Sequence, residues 1–271
     1  MFRRRRFCVE KLYTTFFVLV CVMFVRQKCR PRKTIFYTDY TQKYNDGHAG
    51  CLVALIGIFS SPAEIIKEER FRSWLPLNRS CGLRFVFVRG RGQSTNHDTV
   101  HLDVDENMNR GKSLAWFSWA SRQEPLPRYI FKMDMDTAIC PGQLLSLLMS
   151  LDDEEYIGYP WRQKGGQLSG NICSPPLCPK DDWLYMSGGF YGLRTSLATE
   201  VAKSIVKEGH EDAIVGSAVH AIRGPVATYN IECLHDCRFV SGRDCSSVCP
   251  VLHFMNDKER ASKSSICVAR P

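Results

Sequence analysis

The sequence predicts an α/β fold: one sheet, mostly parallel, with helices on both faces. Two observations carry this. Apolar runs such as CLVALIGIF (51–59) are continuous rather than alternating, as in strands buried on both sides. Strand-like and helix-like segments also follow one another in turn along the chain.

The run 51–59 ends at Ser60, Ser61 and Pro62, and PAEIIKEERFRSWL (62–75) continues as a helix that opens on proline. LRFVFVRG (83–90) reads as a second strand closed by glycine, and TVHLDV (99–104) as a third. KSLAWFSWASR (112–122) has a helical pattern, RYIFKM (128–133) that of a strand, and PGQLLSLLMSL (141–151) that of a helix starting at Pro141. YIGYP (156–160) is a short strand, followed by a Gly/Ser/Pro/Cys-rich loop at 164–180. The segment 195–209 is an amphipathic helix with Thr195 or Ser196 as cap and Gly209 as stop. The segment 211–222 is a further helix, with Glu211 and Asp212 in the first turn, where the dipole favours acids.

The 271 residues are 44% hydrophobic, enough for one sizeable core. The net charge of +8 is local: ten of the 36 basic residues and one of the 28 acids precede Thr34, so the remainder is nearly neutral. That distribution argues against a nucleic-acid partner. The basic tail flanks an uncharged run at 12–25, short of the about 20 residues a membrane span needs. Phe7 to Val9, with Lys11 snorkelling, lengthen it, and no small-residue cleavage site follows. The expected organisation is a cytoplasmic tail at 1–6, a transmembrane signal anchor at 7–25, a lumenal stem at 26–49 and a catalytic domain at 50–271. It would belong to a single-pass type II protein of the Golgi or ER membrane. Eleven of the 13 cysteines lie beyond the anchor, which suits a disulfide-forming lumen. The run Cys233, Cys237, Cys245, Cys249 reads as two local disulfides, with a zinc knuckle including His235 as the alternative. Asn78 begins an NRS glycosylation sequon.

YIFKMDMDTAICP (129–141) poses the functional question, because an apolar strand ends on Asp134 and Asp136. In open α/β sheets ligands bind beyond the carboxyl ends of strands. In an extended segment residues i and i+2 point to one side, and two carboxylates brought together repel unless a cation joins them. Oxygen-only ligation selects Mn²⁺ or Mg²⁺, ions that bridge proteins to diphosphates. A solvated turn is the plain alternative.

Other segments supply context: ENMNRGKS (106–113), YMSGGFYGLR (185–194), HEDAIVG (210–216) and VLHFM (251–255). With Arg72-Ser73-Trp74, Lys112, Lys132-Met133-Asp134-Met135-Asp136, Gly188 to Tyr191 and Glu211 to Gly216, the ordered set resembles the β-1,3-galactosyltransferase-like family, glycosyltransferase family 31, including its protozoan members. Met135 departs from that family's pattern, which has aspartate there.

The resemblance implies a GT-A-type nucleotide-diphospho-sugar transferase fold. It also implies an inverting transfer of galactose or N-acetylglucosamine from a UDP-sugar to a glycan hydroxyl, with β-1,3 linkage. Asp134 and Asp136 are the expected metal ligands, with His253 completing the set, and Asp134 also stands near the donor. Arg72, Lys112 and Lys132 are donor-side candidates, and Asp212 is the expected general base with Glu211 as its understudy. Gly188 and Gly189 would expose amides beside the sugar or form a tight turn; Trp183 and Tyr185 would stack on a sugar or lie in the core. The competing readings are an inactive relative that binds glycans or assists another transferase, and a zinc-binding interaction module.

Overall fold

The computed structural model describes residues 52–74, 82–92, 96–165, 179–204, 209–231 and 250–252. A seven-stranded sheet runs in the order β3-β2-β1-β4-β7-β6-β8. Its strands are β1 (Ala54–Phe59), β2 (Leu83–Arg89), β3 (Thr99–His101), β4 (Tyr129–Asp134), β6 (Tyr156–Gln163), β7 (Trp183–Arg194) and β8 (Thr228–Asn230). A two-stranded antiparallel sheet pairs β5 (Ala138–Ile139) with β9 (Val251–Leu252). β3, β2, β1 and β4 are parallel, β7 is antiparallel to both β4 and β6, and β6 and β8 are parallel.

The helices are α1 (Ile65–Trp74), α2 (Lys112–Ala120), α3 (Pro141–Ser150), α4 (Thr195–Val201) and α5 (Glu211–Arg223). Strand alternation divides the core in two. Ala54, Ile56 and Ile58 of β1 join Phe71 of α1 and Leu144 and Leu148 of α3 on one face. Leu55 and Phe59 join Trp116 of α2, Leu197 of α4 and Val215 of α5 on the other. Every residue of β1 is buried, which is why its sequence is a run and not an alternation.

Three expectations about elements need correction. The segment around SGGFYG, expected to supply flexible backbone or a turn, is part of a 12-residue strand. Its glycines weakened the strand pattern, yet its inner residues Met186, Phe190, Tyr191 and Leu193 are buried. The cap of α4 is Arg194, without a side-chain cap bond, and the helix ends at Val201 rather than near Gly209. The strand bearing Asp134 stops there: Thr137 N donates to Asp134 O at 3.1 Å, closing a turn through Met135 and Asp136. Asp136 is therefore placed by a turn and not by strand alternation.

The topological expectations are also corrected. No helix among the described residues is long and apolar enough to cross a membrane. The membrane anchor, the membrane as partner, and the type II Golgi or ER placement accordingly have no support in the structure. The segment 7–25, from which they were read, lies outside the described residues. Cys140 is the one cysteine among the described residues, and it is disulfide-bonded. No disulfide joins two described residues, so the expected framework is not seen. The run Cys233 to Cys249, Asn78 and His253 also lie outside them.

Candidate active site

The carboxyl ends of β1 and β4, the middle of β7 and the start of α5 bring together the separate sequence motifs. Lys132 is the centre. Its side chain is 1% exposed, and Nζ lies 2.8 Å from Asp134 Oδ1 and 2.7 Å from Glu211 Oε1. It also donates to the carbonyl of Gly188. Burial alone would lower its pKa, but the two carboxylates outweigh burial and hold the ammonium above its usual value.

Glu211 is buried and fully engaged. Besides Lys132, its Oε2 accepts from the Tyr191 hydroxyl at 2.9 Å and from the Ser113 hydroxyl. Burial and the Glu211 charge push the Tyr191 phenol up, so it remains a donor. Asp212 differs: it is partly exposed, and its oxygens accept from two backbone amides, Gly188 N at 3.1 Å and Ala213 N at 2.8 Å. Burial and the neighbouring Glu211 charge raise its pKa above the usual carboxylate range. A Cβ on Gly188 would stand 3.4 Å from both Asp212 Oδ2 and Glu211 Oε1 and 3.6 Å from Lys132 Nζ, so β7 passes close against the cluster here.

Gly216 of α5 has a different task. A Cβ there would come within 2.4 Å of Tyr185 Cβ and 2.8 Å of the Leu184 carbonyl, so only glycine lets α5 lie this close to β7. Gly216→Ala is expected to destabilise the protein by about 1–3 kcal/mol through overpacking. Urea denaturation measures this; an unchanged midpoint would mean that α5 moves off β7 freely.

Asp134 is raised by burial, opposed by Lys132, and raised further by the charges of Glu211 and Asp136. Its neighbourhood thus concentrates carboxylate charge that one ammonium only partly offsets. Two carboxylates of this kind are donors that a hard divalent cation takes, so Asp134 and Asp136 fit Mn²⁺ or Mg²⁺. Among the described residues no group of three or more His, Cys, Asp or Glu side chains could hold a metal ion. Met135, where an aspartate was expected, is 7% exposed and packs in the core with Met133 and Ile139.

The other sequence candidates separate. Lys112, expected as donor-binding or a solvated helix lysine, is buried: Nζ donates to Ser60 O at 2.7 Å and to the Glu106 carboxylate. Burial lowers its pKa against the pull of Glu106. The Phe59 ring lies between the two ammoniums, 5.2 Å from Lys112 Nζ and 5.6 Å from Lys132 Nζ. Arg72 is engaged elsewhere, in a bidentate pair with Asp98 at 2.7 and 2.9 Å and over the Phe87 ring. Trp183 is 3% exposed and belongs to the interior, whereas Tyr185 is half-buried beside it. Gly189 accepts from Thr137 Oγ1 at 2.9 Å, fixing β7 to the turn after β4. Sequence reasoning assigned no role to Ser113, Tyr191 or Thr137, although all three stood inside the segments it quoted.

A family model described as galactosyltransferase matches residues 88–228, just over half of the chain and the whole of this cluster. The chain belongs to the galactosyltransferase family. It is a UDP-sugar-dependent glycosyltransferase of GT-A fold, a type that generally uses a divalent cation. Similar solved structures include an active-site mutant of LgtC, at 12% identity and TM-score 0.43, covering 74% of this chain and 87% of that chain. WbbM, titled a bifunctional glycosyltransferase, matches at 10% identity and TM-score 0.44 over 82% of this chain and 50% of its own. The glycosyltransferase GlyE of Streptococcus pneumoniae TIGR4 matches at 11% identity and TM-score 0.40, over 80% and 60%. No curated protein matches. The family match corrects the narrower resemblance: it supports a galactosyltransferase-family GT-A enzyme, not family 31 or its protozoan members in particular.

Proposed function

We propose that this enzyme, with 50–271 as its catalytic domain, transfers a hexose or N-acetylhexosamine from UDP to a glycan hydroxyl with inversion, and that Asp212 is the base. The contrast between the two acids of α5 carries the reading. Glu211 is buried with an ammonium and two hydroxyls on it, while Asp212 is partly exposed and held only from behind by amides of Gly188 and Ala213. A base needs a free lone pair, a fixed orientation and a raised pKa, and Asp212 has these.

In the transfer, the acceptor hydroxyl gives its proton to the Asp212 carboxylate as its oxygen bonds to the anomeric carbon. The bond from that carbon to the diphosphate oxygen breaks, and its electron pair leaves with UDP. Asp134 and Asp136 would hold the divalent cation, whose chemistry when bound would be to offset negative charge on the diphosphate. Lys132 orients Asp134, and Gly188 leaves room for the sugar.

The test is UDP release from UDP-galactose and UDP-N-acetylglucosamine, with and without Mn²⁺, in the presence of β-galactoside and β-N-acetylglucosaminide acceptors. Linkage analysis of the product examines the β-1,3 expectation, and no metal-dependent release with any donor would sink the proposal. Asp136→Asn is expected to weaken Mn²⁺-dependent UDP binding by more than the roughly ten- to hundredfold that loss of an outer-shell partner costs, with little change in the apo melting temperature. A large loss of apo stability with intact binding would make Asp136 structural.

A further inference from the structure

Trp161 was not among the residues that the sequence singled out, and it is the most exposed aromatic side chain of the sheet, at 48%. It stands directly opposite Tyr185 in the antiparallel register of β6 and β7. Side chains of directly opposed residues share a sheet face, so the two rings lie side by side. Tyr159 meets Trp161 edge-on with centroids 5.7 Å apart, and buried Trp183 backs Tyr185 at 5.6 Å. Each of the two rings therefore has an aromatic neighbour along its own strand.

The location gives this aromatic surface its meaning. Gly216 of α5 abuts Tyr185, and Asp212 lies one turn earlier on the same helix face, bonded to Gly188 three residues further along β7. Tyr185 thus sits between Trp161 and the acid. Burial, with the Asp212 charge, raises the Tyr185 phenol, so its hydroxyl stays a hydrogen-bond donor.

We propose that Trp161, with Tyr185, forms the platform that binds the acceptor sugar, a β-linked pyranose whose apolar C–H face lies on the indole while a hydroxyl points toward Asp212. This rests on the transferase reading given above. A pyranose has one face rich in C–H groups and a rim of hydroxyls, which suits an exposed ring beside a phenol and a carboxylate. Trp183, a stacking candidate from the sequence alongside Tyr185, is instead buried and packs against Tyr185.

Saturation-transfer NMR on the full chain tests this, with methyl β-D-galactopyranoside and methyl N-acetyl-β-D-glucosaminide as probes and UDP with Mn²⁺ titrated separately. Trp161→Ala is expected to weaken binding of at least one saccharide by about tenfold or more and to leave UDP affinity unchanged; Trp161→Phe is expected to recover most of the loss. Equal saccharide affinity in wild type and Trp161→Ala overturns the inference, as does a loss that takes UDP binding with it. Failure of wild type to bind either saccharide also overturns it. The readout does not depend on turnover. Saccharide binding that needs Trp161 in a chain that releases no UDP would leave the platform standing and sink the transfer reaction.

Discussion

Asp212→Asn is expected to lower kcat by about 10²–10⁴-fold, the usual contribution of a positioned general base, with UDP-sugar affinity nearly unchanged. Asparagine keeps the shape, and its one side-chain oxygen can still accept from Gly188 N, while its amide nitrogen then faces Ala213 N–H, so that bond is lost along with the proton-accepting charge. The pH profile adds a second readout. Asp212 must be ionised to act, and its pKa lies above the usual carboxylate range because of burial and Glu211. Wild-type kcat therefore rises with pH through an acidic limb displaced upward from that range, and the limb disappears in Asp212→Asn. Stability moves the other way. A carboxylate whose folded pKa exceeds its unfolded value favours folding when protonated, and that contribution is lost as pH rises through the folded value. At neutral pH the asparagine variant should accordingly stay close to wild type in stability, the relieved charge offsetting the lost Ala213 bond. Glu211→Gln, which strips a charge from between Lys132, Tyr191 and Ser113, should instead lose stability. A dead but stable Glu211→Gln beside an active Asp212→Asn would reverse the two roles.

Much of the arrangement was legible in the residues. Buried parallel strands announce themselves as apolar runs, and Lys132, Asp134, Gly188, Glu211 and Asp212 were singled out before any geometry was known. Two kinds of information were missing. The longest of the described strands, β7, was obscured because Gly188 and Gly189 read as turn residues. The second gap was partnership. Sequence alone leaves Lys112 between a donor-side group and a solvated helix lysine, reads Arg72 as donor-side, and leaves Trp183 between a stacking ring and the core. Each is engaged with groups distant in the chain: Lys112 with Ser60, Arg72 with Asp98, and Trp183 inside the sheet. Met135 shows the limit in the other direction, since a residue that looked like a missing carboxylate follows Phe131 and Met133 into the core.

The second large effect is expected at Glu68, which no motif includes. Its side chain on α1 is fully buried, and it holds the ends of β1 and β2 together. Arg89 Nε donates to Oε1 at 2.8 Å and Arg89 Nη2 lies 2.6 Å from Oε2. Ser60 donates its hydroxyl to the same carboxylate, and Arg72 adds a weaker contact at 3.3 Å. Ser60 in turn presents its carbonyl to Lys112, whose ammonium shares the Phe59 ring with Lys132, so this pairing connects to the cluster. Removing one partner of a buried pair leaves the other charge without compensation, and Arg89 cannot shed its proton. Glu68→Gln is therefore expected to destabilise the protein by about 3–5 kcal/mol, measured by urea denaturation. Because a buried ion pair can be replaced by apolar residues of similar volume with little loss, Glu68→Met combined with Arg89→Met should regain most of that stability. Activity should not return with it, since Ser60 then lacks the carboxylate that orients it toward Lys112. A Glu68→Gln protein as stable as wild type would show that Arg89 finds solvent or another acid. A double variant no better than the single would show that the carboxylate holds Ser60 and Arg72 more than it balances Arg89.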